Sequence, residues 1–347
     1  MSPITEVLVV DHSAPSVGQI DAAAARLRAG LLVAFPTETV YGLGALAGDR
    51  DAVRSVFAAK GRPATDPLIV HAPSVEGLAG VVRRWSDEAT ELARQFWPGP
   101  LTMVLERTDA VVPEVSAGRS TVAVRVPAHP VALALLAAVG EPVAAPSANR
   151  FGQISPTSAA HVLDELDGRI DLVLDGGPTT LGIESTVIDL TGGRPVLLRP
   201  GGVTFEDLRR VLGDIDHPEL VAESESVPAA APGRFLRHYA PRTPLVLVDG
   251  PPEVVAGLVD ELGRRGQVVG VVALAESPGA AARQLYARLR AADGKGDALL
   301  VATSVDPTGI GRAVNDRLYR AAHGRVVLDA GPSTVDRLVA LVELDSA

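Results

Sequence analysis

Short apolar runs alternate with stretches of helical period along most of this chain. Leu31 to Phe35, Leu68 to His71, Thr102 to Leu105, Thr121 to Val126 and Val143 to Ala145 are brief and aliphatic, which predicts buried strands. Leu172 to Leu174, Thr186 to Leu190 and Val196 to Arg199 read the same way. Helical spacing predicts helices over Ile20 to Arg28, Asp51 to Lys60, Asp87 to Phe96, Val131 to Val139, Ser158 to Leu166 and Phe205 to Leu212, with Gly30 and Gly61 closing the first two. Irregular helix spacing among so many strands argues for a mixed sheet, not a regular parallel series.

Beyond about His217 the texture changes. Glu223 to Gly233 is small, polar and proline-rich, a linker by composition. After it, strands predicted at Leu245 to Val248, Val268 to Val272, Ala298 to Ala302 and Arg325 to Leu328 alternate with helices at Pro252 to Arg264, Ala280 to Ala292 and Gly311 to Ala322. That regularity predicts a small parallel α/β domain. The expected division is a first domain over 1–212, a linker over 213–243 and a second domain over 244–347.

Composition narrows the chemistry. The 347 residues are 47% hydrophobic, enough for a packed core, and the absence of cysteine excludes disulfides, thiol nucleophiles and zinc ribbons. A net charge of –10 speaks against a general electrostatic grip on nucleic acid. The N-terminus lacks a basic leader followed by an apolar stretch, and Val131 to Val139 is too short to span a bilayer, so a cytoplasmic protein without membrane attachment is expected. Lysine and arginine together number 32, yet lysine occurs only at Lys60 and Lys295 and asparagine only at Asn149 and Asn315. Such rarity makes each survivor a candidate for a specific role.

Lys60-Gly61-Arg62-Pro63 would put two cations on one side of an extended segment, a receptor for phosphate or carboxylate. A plain helix C-terminus with favourable cations explains the same residues. Ser147 and Asn149 repeat that spacing at the end of a short strand, either as ligand donors or as a turn. Phe35 to Gly44 reads as a strand, a proline-initiated turn and flexible glycines. Arg125 interrupts an apolar strand, and His71 ends one; each faces solvent or a pocket. Lys295 sits in a polar turn, and Asn315 reads as a cap or packing contact. Together these give a site rich in cations and hydroxyls without a nucleophile–base pair, suited to an anionic nucleotide and a small zwitterion.

FPTETVYGLG, Lys60-Gly61-Arg62 before PLIVH, WPGPLT, TVAVRVP, APSAN, ESTVID and LLRPGG occur in this order. The set closely resembles the YrdC-like threonylcarbamoyl-AMP synthase family in its longer, two-domain form, densely over residues 20 to 212 and again at PGRFLRHYAPRTPL and Gly309 to Leu318. The resemblance implies a twisted mixed α/β sheet around a concave cavity, a linker over its mouth and a Rossmann-like second domain. It implies synthesis of threonylcarbamoyl-adenylate from L-threonine, bicarbonate or CO2, and ATP with Mg2+. The product serves N6-threonylcarbamoyladenosine formation in tRNA, with downstream proteins making the transfer.

Carried over by position, Thr37, His71, Arg125, Ser147 and Ser185 would hold threonine. Lys60, Thr121, Asn149, Ser155, Arg199 and Tyr239 would contact the nucleotide. Lys60 and Arg62 would stabilise charge as pyrophosphate leaves, and no side chain is assigned to metal. Two other readings remain on the sequence: a tRNA-binding module with a locally basic cavity, and carbamoyl transfer in metallocentre maturation. The second usually brings zinc fingers, which a cysteine-free chain cannot form.

Overall fold

The computed structural model describes residues 4–217, 228–233, 235–236 and 238–345. Part of the expected linker, residues 218–227 with 234 and 237, lies outside the described residues. Two compact units divide the chain: Met1–Phe151 with Ser155–Phe235, and Gly152–Ile154 with Leu236–Ala347.

In chain order the first unit contains β1 (Glu6–Val9), α1 (Val17–Arg28), β2 (Val33–Phe35), β3 (Gly42–Leu46), α2 (Arg50–Lys60), β4 (Ile69–His71), α3 (Asp87–Phe96) and β5 (Leu101–Glu106). Then follow β6 (Thr121–Arg125), α4 (Pro130–Val139), β7 (Val143–Ala144), α5 (Ala159–Leu166), β8 (Leu172–Asp175), β9 (Thr186–Asp189), β10 (Val196–Arg199) and α6 (Phe205–Leu212). The strands form one ten-stranded sheet in the order β1-β8-β2-β3-β7-β4-β6-β5-β9-β10. Its pairings are mixed: β4 runs parallel to β6, while β5–β6 and β9–β10 are antiparallel.

Period-two alternation decides what each face carries. On β2 and β8, Val33, Phe35, Leu172 and Leu174 pack under α1 and α4, whereas Ala34 and Val173 face the other core. Further along, Val70, Met103, Leu105, Val122, Val124 and Ile188 join that same other core with α2 and α3. Their alternates, Ile69, Val104, Ala123, Val187 and Leu198, form a small separate cluster with Ala231 from the segment after the undescribed stretch. Among the described residues of this unit, that half of the face gathers chain from 230–231 and no helix into its cluster. That difference positions the site.

Two elements depart from the sequence reading. The glycines after Tyr41 are strand β3, bonded to β2 and β7 on its two sides. Glycine at 44 suits that crowded lane: a Cβ there would come within 3.0 Å of Phe35 and Val143 side chains. The residues after Lys60 also do not extend. Gly61 adopts a left-handed φ of 62°, and Arg62 N–H bonds back to Phe57 O. Only glycine enters that region without penalty. The chain turns there, so Lys60 and Arg62 do not project side by side.

The second unit contains β11 (Leu245–Val248), α7 (Pro252–Arg264), β12 (Val269–Val272), α8 (Pro278–Ala292), β13 (Leu299–Thr303), α9 (Gly311–Ala321), β14 (Val326–Val327) and α10 (Pro332–Asp345). Its sheet, ordered β12-β13-β11-β14, is parallel throughout. Asn315 clamps the loop after β13, accepting from Val305 N–H at 2.9 Å and donating to Val305 O at 2.8 Å. Lys295 lies exposed in a turn.

Candidate functional site

The helix-free face collects polar side chains by register. Pairing of β4 with β6 sets His71 opposite Arg125 and Ile69 opposite Ala123. Thr121, Ala123 and Arg125 share a face by parity, as do Thr102 and Val104 on β5. Next to β5, Thr102 Oγ1 lies 2.8 Å from Ser185 Oγ. Arg199, at the end of β10, donates from Nη2 to Ser185 O at 2.9 Å and Oγ at 3.2 Å, and from Nη1 to Pro232 O at 3.0 Å. His71, Arg125, Ser185 and Arg199 are all buried.

Arg125 does not face bulk solvent, one of the two options the sequence leaves open. Its guanidinium lies 2.7 Å from Glu38 Oε1, and Nη1 donates to Thr39 Oγ1 at 3.0 Å. Both partners come from the turn between β2 and β3. Thr37 organises that turn: its hydroxyl donates to Val40 O at 2.6 Å and accepts from Thr39 N–H at 3.2 Å. Tyr41 anchors the turn's end, with its hydroxyl donating to Gly177 O at 2.6 Å. Burial, reinforced by the Arg125 charge, pushes the His71 imidazole down to about 3, so it is neutral at physiological pH. Its Nδ1 sits 3.1 Å from Ile69 O.

Lys60 forms a second centre. As the last residue of α2 it donates from Nζ to Ser147 O at 2.5 Å and to Asn149 O. Burial drives this amine well below the usual lysine range, Arg62 adds to that, and Glu165 and Asp66 oppose it. Arg62 turns to its own loop, donating to Asp66 O at 3.0 Å and Pro67 O at 2.7 Å and pairing with Asp66 Oδ2 at 3.0 Å. Burial pushes the Asp66 carboxyl up, against Arg62, Lys60 and Arg199. Ser155 donates to Glu184 Oε1, and Asn149 Nδ2 donates to Arg150 O at 2.7 Å.

The segment 228–233 docks on this face by backbone contacts. Ala229 N–H donates to Thr65 O at 2.9 Å, and Arg119 Nη1 to Pro228 O at 3.2 Å. Tyr239 belongs to the second unit, where its ring stacks on Tyr286 at 5.7 Å and the Arg317 guanidinium lies 5.1 Å from its centre. Sequence reasoning names Glu38 and Thr39 only among the polar groups of the 35–44 turn and Glu184 only as a polar group beside a strand end, and it gives Thr102 and Asp66 no role. Glu38 and Arg125 lie 87 positions apart, and only the strand order brings them together.

Fold and site define a two-unit α/β protein whose larger sheet carries a face lined by cations, hydroxyls and a neutral imidazole. The family described as telomere recombination matches residues 25–201, and the C-terminal domain of threonylcarbamoyl-AMP synthase matches residues 203–323. The chain belongs to the threonylcarbamoyl-AMP synthase family. It is 45% identical over 325 residues to the Pyrococcus abyssi threonylcarbamoyl-AMP synthase, covering 89% of this chain and 95% of that one. Identity to the Bacillus subtilis protein of the same name is 43% over 337 residues, covering 92% and 97%. Among solved structures it is similar to P. abyssi Sua5 complexed with L-threonine, with a TM-score of 0.90, 43% identity and coverage of 93% and 99%.

Proposed function

We propose that this protein joins L-threonine, bicarbonate and ATP into threonylcarbamoyl-adenylate and releases pyrophosphate. The facing pair of His71 and Arg125, beside the Thr102–Ser185 hydroxyls on the helix-free sheet face, carries this reading. Arg125 offers the threonine carboxylate a charge-assisted fork. Neutral His71 and the hydroxyls of Thr37, Ser147 and Ser185 offer donors and acceptors to the rest of the amino acid.

The carbamate oxygen of N-carboxylated threonine then attacks the α-phosphorus, the bond to the bridging oxygen breaks, and pyrophosphate leaves. Such a step depends on alignment and on stabilising charge, not on a strong base. Lys60, held at the Ser147–Asn149 loop, supplies that charge once the phosphates of ATP offset the burial that depresses its amine, with Arg62 near it in sequence. Thr121, Asn149, Ser155 and Arg199 contact the nucleotide in this proposal, and the resemblance adds Tyr239. Mg2+ accompanies the ATP phosphates; no group of three or more acidic or histidine side chains among the described residues converges to hold it, and no protein ligand is assigned. Other proteins transfer the threonylcarbamoyl group to tRNA. No helix among the described residues is long and apolar enough to cross a membrane, in keeping with work in the cytoplasm.

Pyrophosphate release by the purified protein tests this directly. It is expected only when threonine, bicarbonate and ATP are all present. Lys60→Met keeps the buried stem, removes the charge and is expected to slow release by about a hundredfold or more. Wild-type turnover in that variant would remove Lys60 from the mechanism, and release without threonine would overturn the reaction.

A further inference from the structure

The surroundings of Arg125 are more specific than carboxylate binding requires. Nε donates to Gly99 O at 3.2 Å, Nη1 to Thr39 Oγ1 at 3.0 Å, and Nη2 lies 2.7 Å from Glu38 Oε1. Two of the guanidinium's five N–H donors are held by these hydrogen bonds, and Nη2 adds an ion pair without a hydrogen bond, so donors remain for a ligand. The carboxylate of Glu38 is fixed in turn, its Oε2 accepting from Ala128 N–H at 3.1 Å. Its side chain is 12% exposed, so this is a nearly buried ion pair facing the site.

A bare arginine at this position would take any small carboxylate, and bicarbonate as well. Bicarbonate is itself a substrate in the proposed reaction, so an unguarded Arg125 would bind the wrong one. With Glu38 beside it, a simple anion gains the arginine and meets a like charge, and the two effects oppose each other. A zwitterion escapes that conflict. In an α-amino acid the ammonium and carboxylate hang from one carbon, so gripping the carboxylate brings the ammonium within a hydrogen bond's reach.

Resting on the reading that Arg125 takes the threonine carboxylate, we propose that Glu38 takes its ammonium group. The Arg125–Glu38 pair then recognises the zwitterion as a matching pair of opposite charges and turns simple anions away. Glu38 is the specificity-determining residue for amino acid against anion.

The same arrangement changes sign across the first half-reaction. The ammonium gives up one proton to solvent, and the nitrogen lone pair forms the N–C bond to the bicarbonate carbon. One C–O bond of bicarbonate breaks, and that oxygen leaves as water. The group beside Glu38 thereby changes from cation to anion, and attraction becomes repulsion. The carbamate is pushed off the carboxylate that had held its precursor.

Calorimetry with L-threonine and with its analogue bearing hydroxyl in place of the amino group tests the proposal. Wild-type protein is expected to bind threonine at least about tenfold more tightly than the hydroxy acid. In Glu38→Gln, threonine affinity falls about tenfold while the hydroxy acid binds as well as before or better. Bicarbonate then becomes a competitive inhibitor against threonine. Equal weakening of both ligands would reduce Glu38 to a scaffold for Arg125 and overturn the proposal, as would unchanged threonine binding. If the variant does not fold, the wild-type comparison decides: equal affinity for the two ligands overturns the proposal. A wild-type protein that binds neither threonine nor the hydroxy acid overturns the reading of Arg125 itself, a separate failure.

Discussion

Arg125 in the first unit is 4% exposed and Arg317 in the second is 0% exposed, and each lies against a carboxylate. Their neighbourhoods differ in origin. The partner of Arg317 is the next residue back, Asp316, whose other oxygen takes Arg320 Nε at 3.0 Å one helical turn on. The aromatic rings of Tyr239 and Tyr286 complete the wall. Both ion pairs of Asp316 lie within α9. Arg125 instead meets the carboxylate and a hydroxyl of a turn far away in sequence and Gly99 O from another loop, opposite a neutral histidine on a neighbouring strand. Burial of charge alone therefore does not mark a site. Convergence of distant polar groups on one sheet face does.

Four measurements put that contrast at risk, and the greatest change is expected at Asp316. Asp316→Ala removes the buried carboxylate that Arg317 and Arg320 share and is expected to cost about 3–5 kcal/mol in urea unfolding. An unchanged midpoint would show that α9 holds no structural ion cluster. Arg125→Lys keeps the charge but loses the planar fork, so threonine-dependent kcat/KM should fall about a hundredfold, equivalent to ~2.7 kcal/mol, with little change in Tm. A large loss of Tm with intact threonine binding would make the two arginines alike after all.

An effect that is smaller per pH unit is expected at His71. Its folded-state value of about 3 lies below the ordinary 6.5, so the unfolded chain binds the extra proton between those limits. The native state consequently loses stability as pH falls from about 6.5 toward 3, by up to ~1.4 kcal/mol per pH unit from this residue. His71→Asn should show a shallower decline of Tm across that window, and parallel curves would refute the assignment. Finally, Glu91→Gln removes the exposed pair with Arg94 on α3 and should leave Tm and turnover unchanged.

Much of the fold is legible in the sequence because strand and helix periods are strong where both faces are buried. α3, α6, β10, β11 and α7 fall on the boundaries that periodicity alone predicts. β1 gives little strand signal because its valines are exposed at a sheet edge, and β3 because glycines weaken a pattern that tertiary pairing restores. α10 is likewise absent from the periodicity reading. At the site, rare residue types point to Lys60 and Asn149, while Asn315 and Lys295 share that rarity without sharing the location. The Glu38 contact is illegible for a different reason. Nothing in a turn's composition says which strand end lies across from it; that is a property of strand order.

The register of β4 has one further consequence. A strand of three residues contributes Ile69 and His71 to one face and Val70 to the other. Which chemistry faces the ligand is therefore an odd-or-even property of the chain. Inserting one residue between Asp66 and Ile69 would exchange a histidine for a valine at the same place without altering a single side chain. The site is protected against that error by two independent rulers, since β6 and β7 each set the count of β4 separately, one in parallel and one in antiparallel.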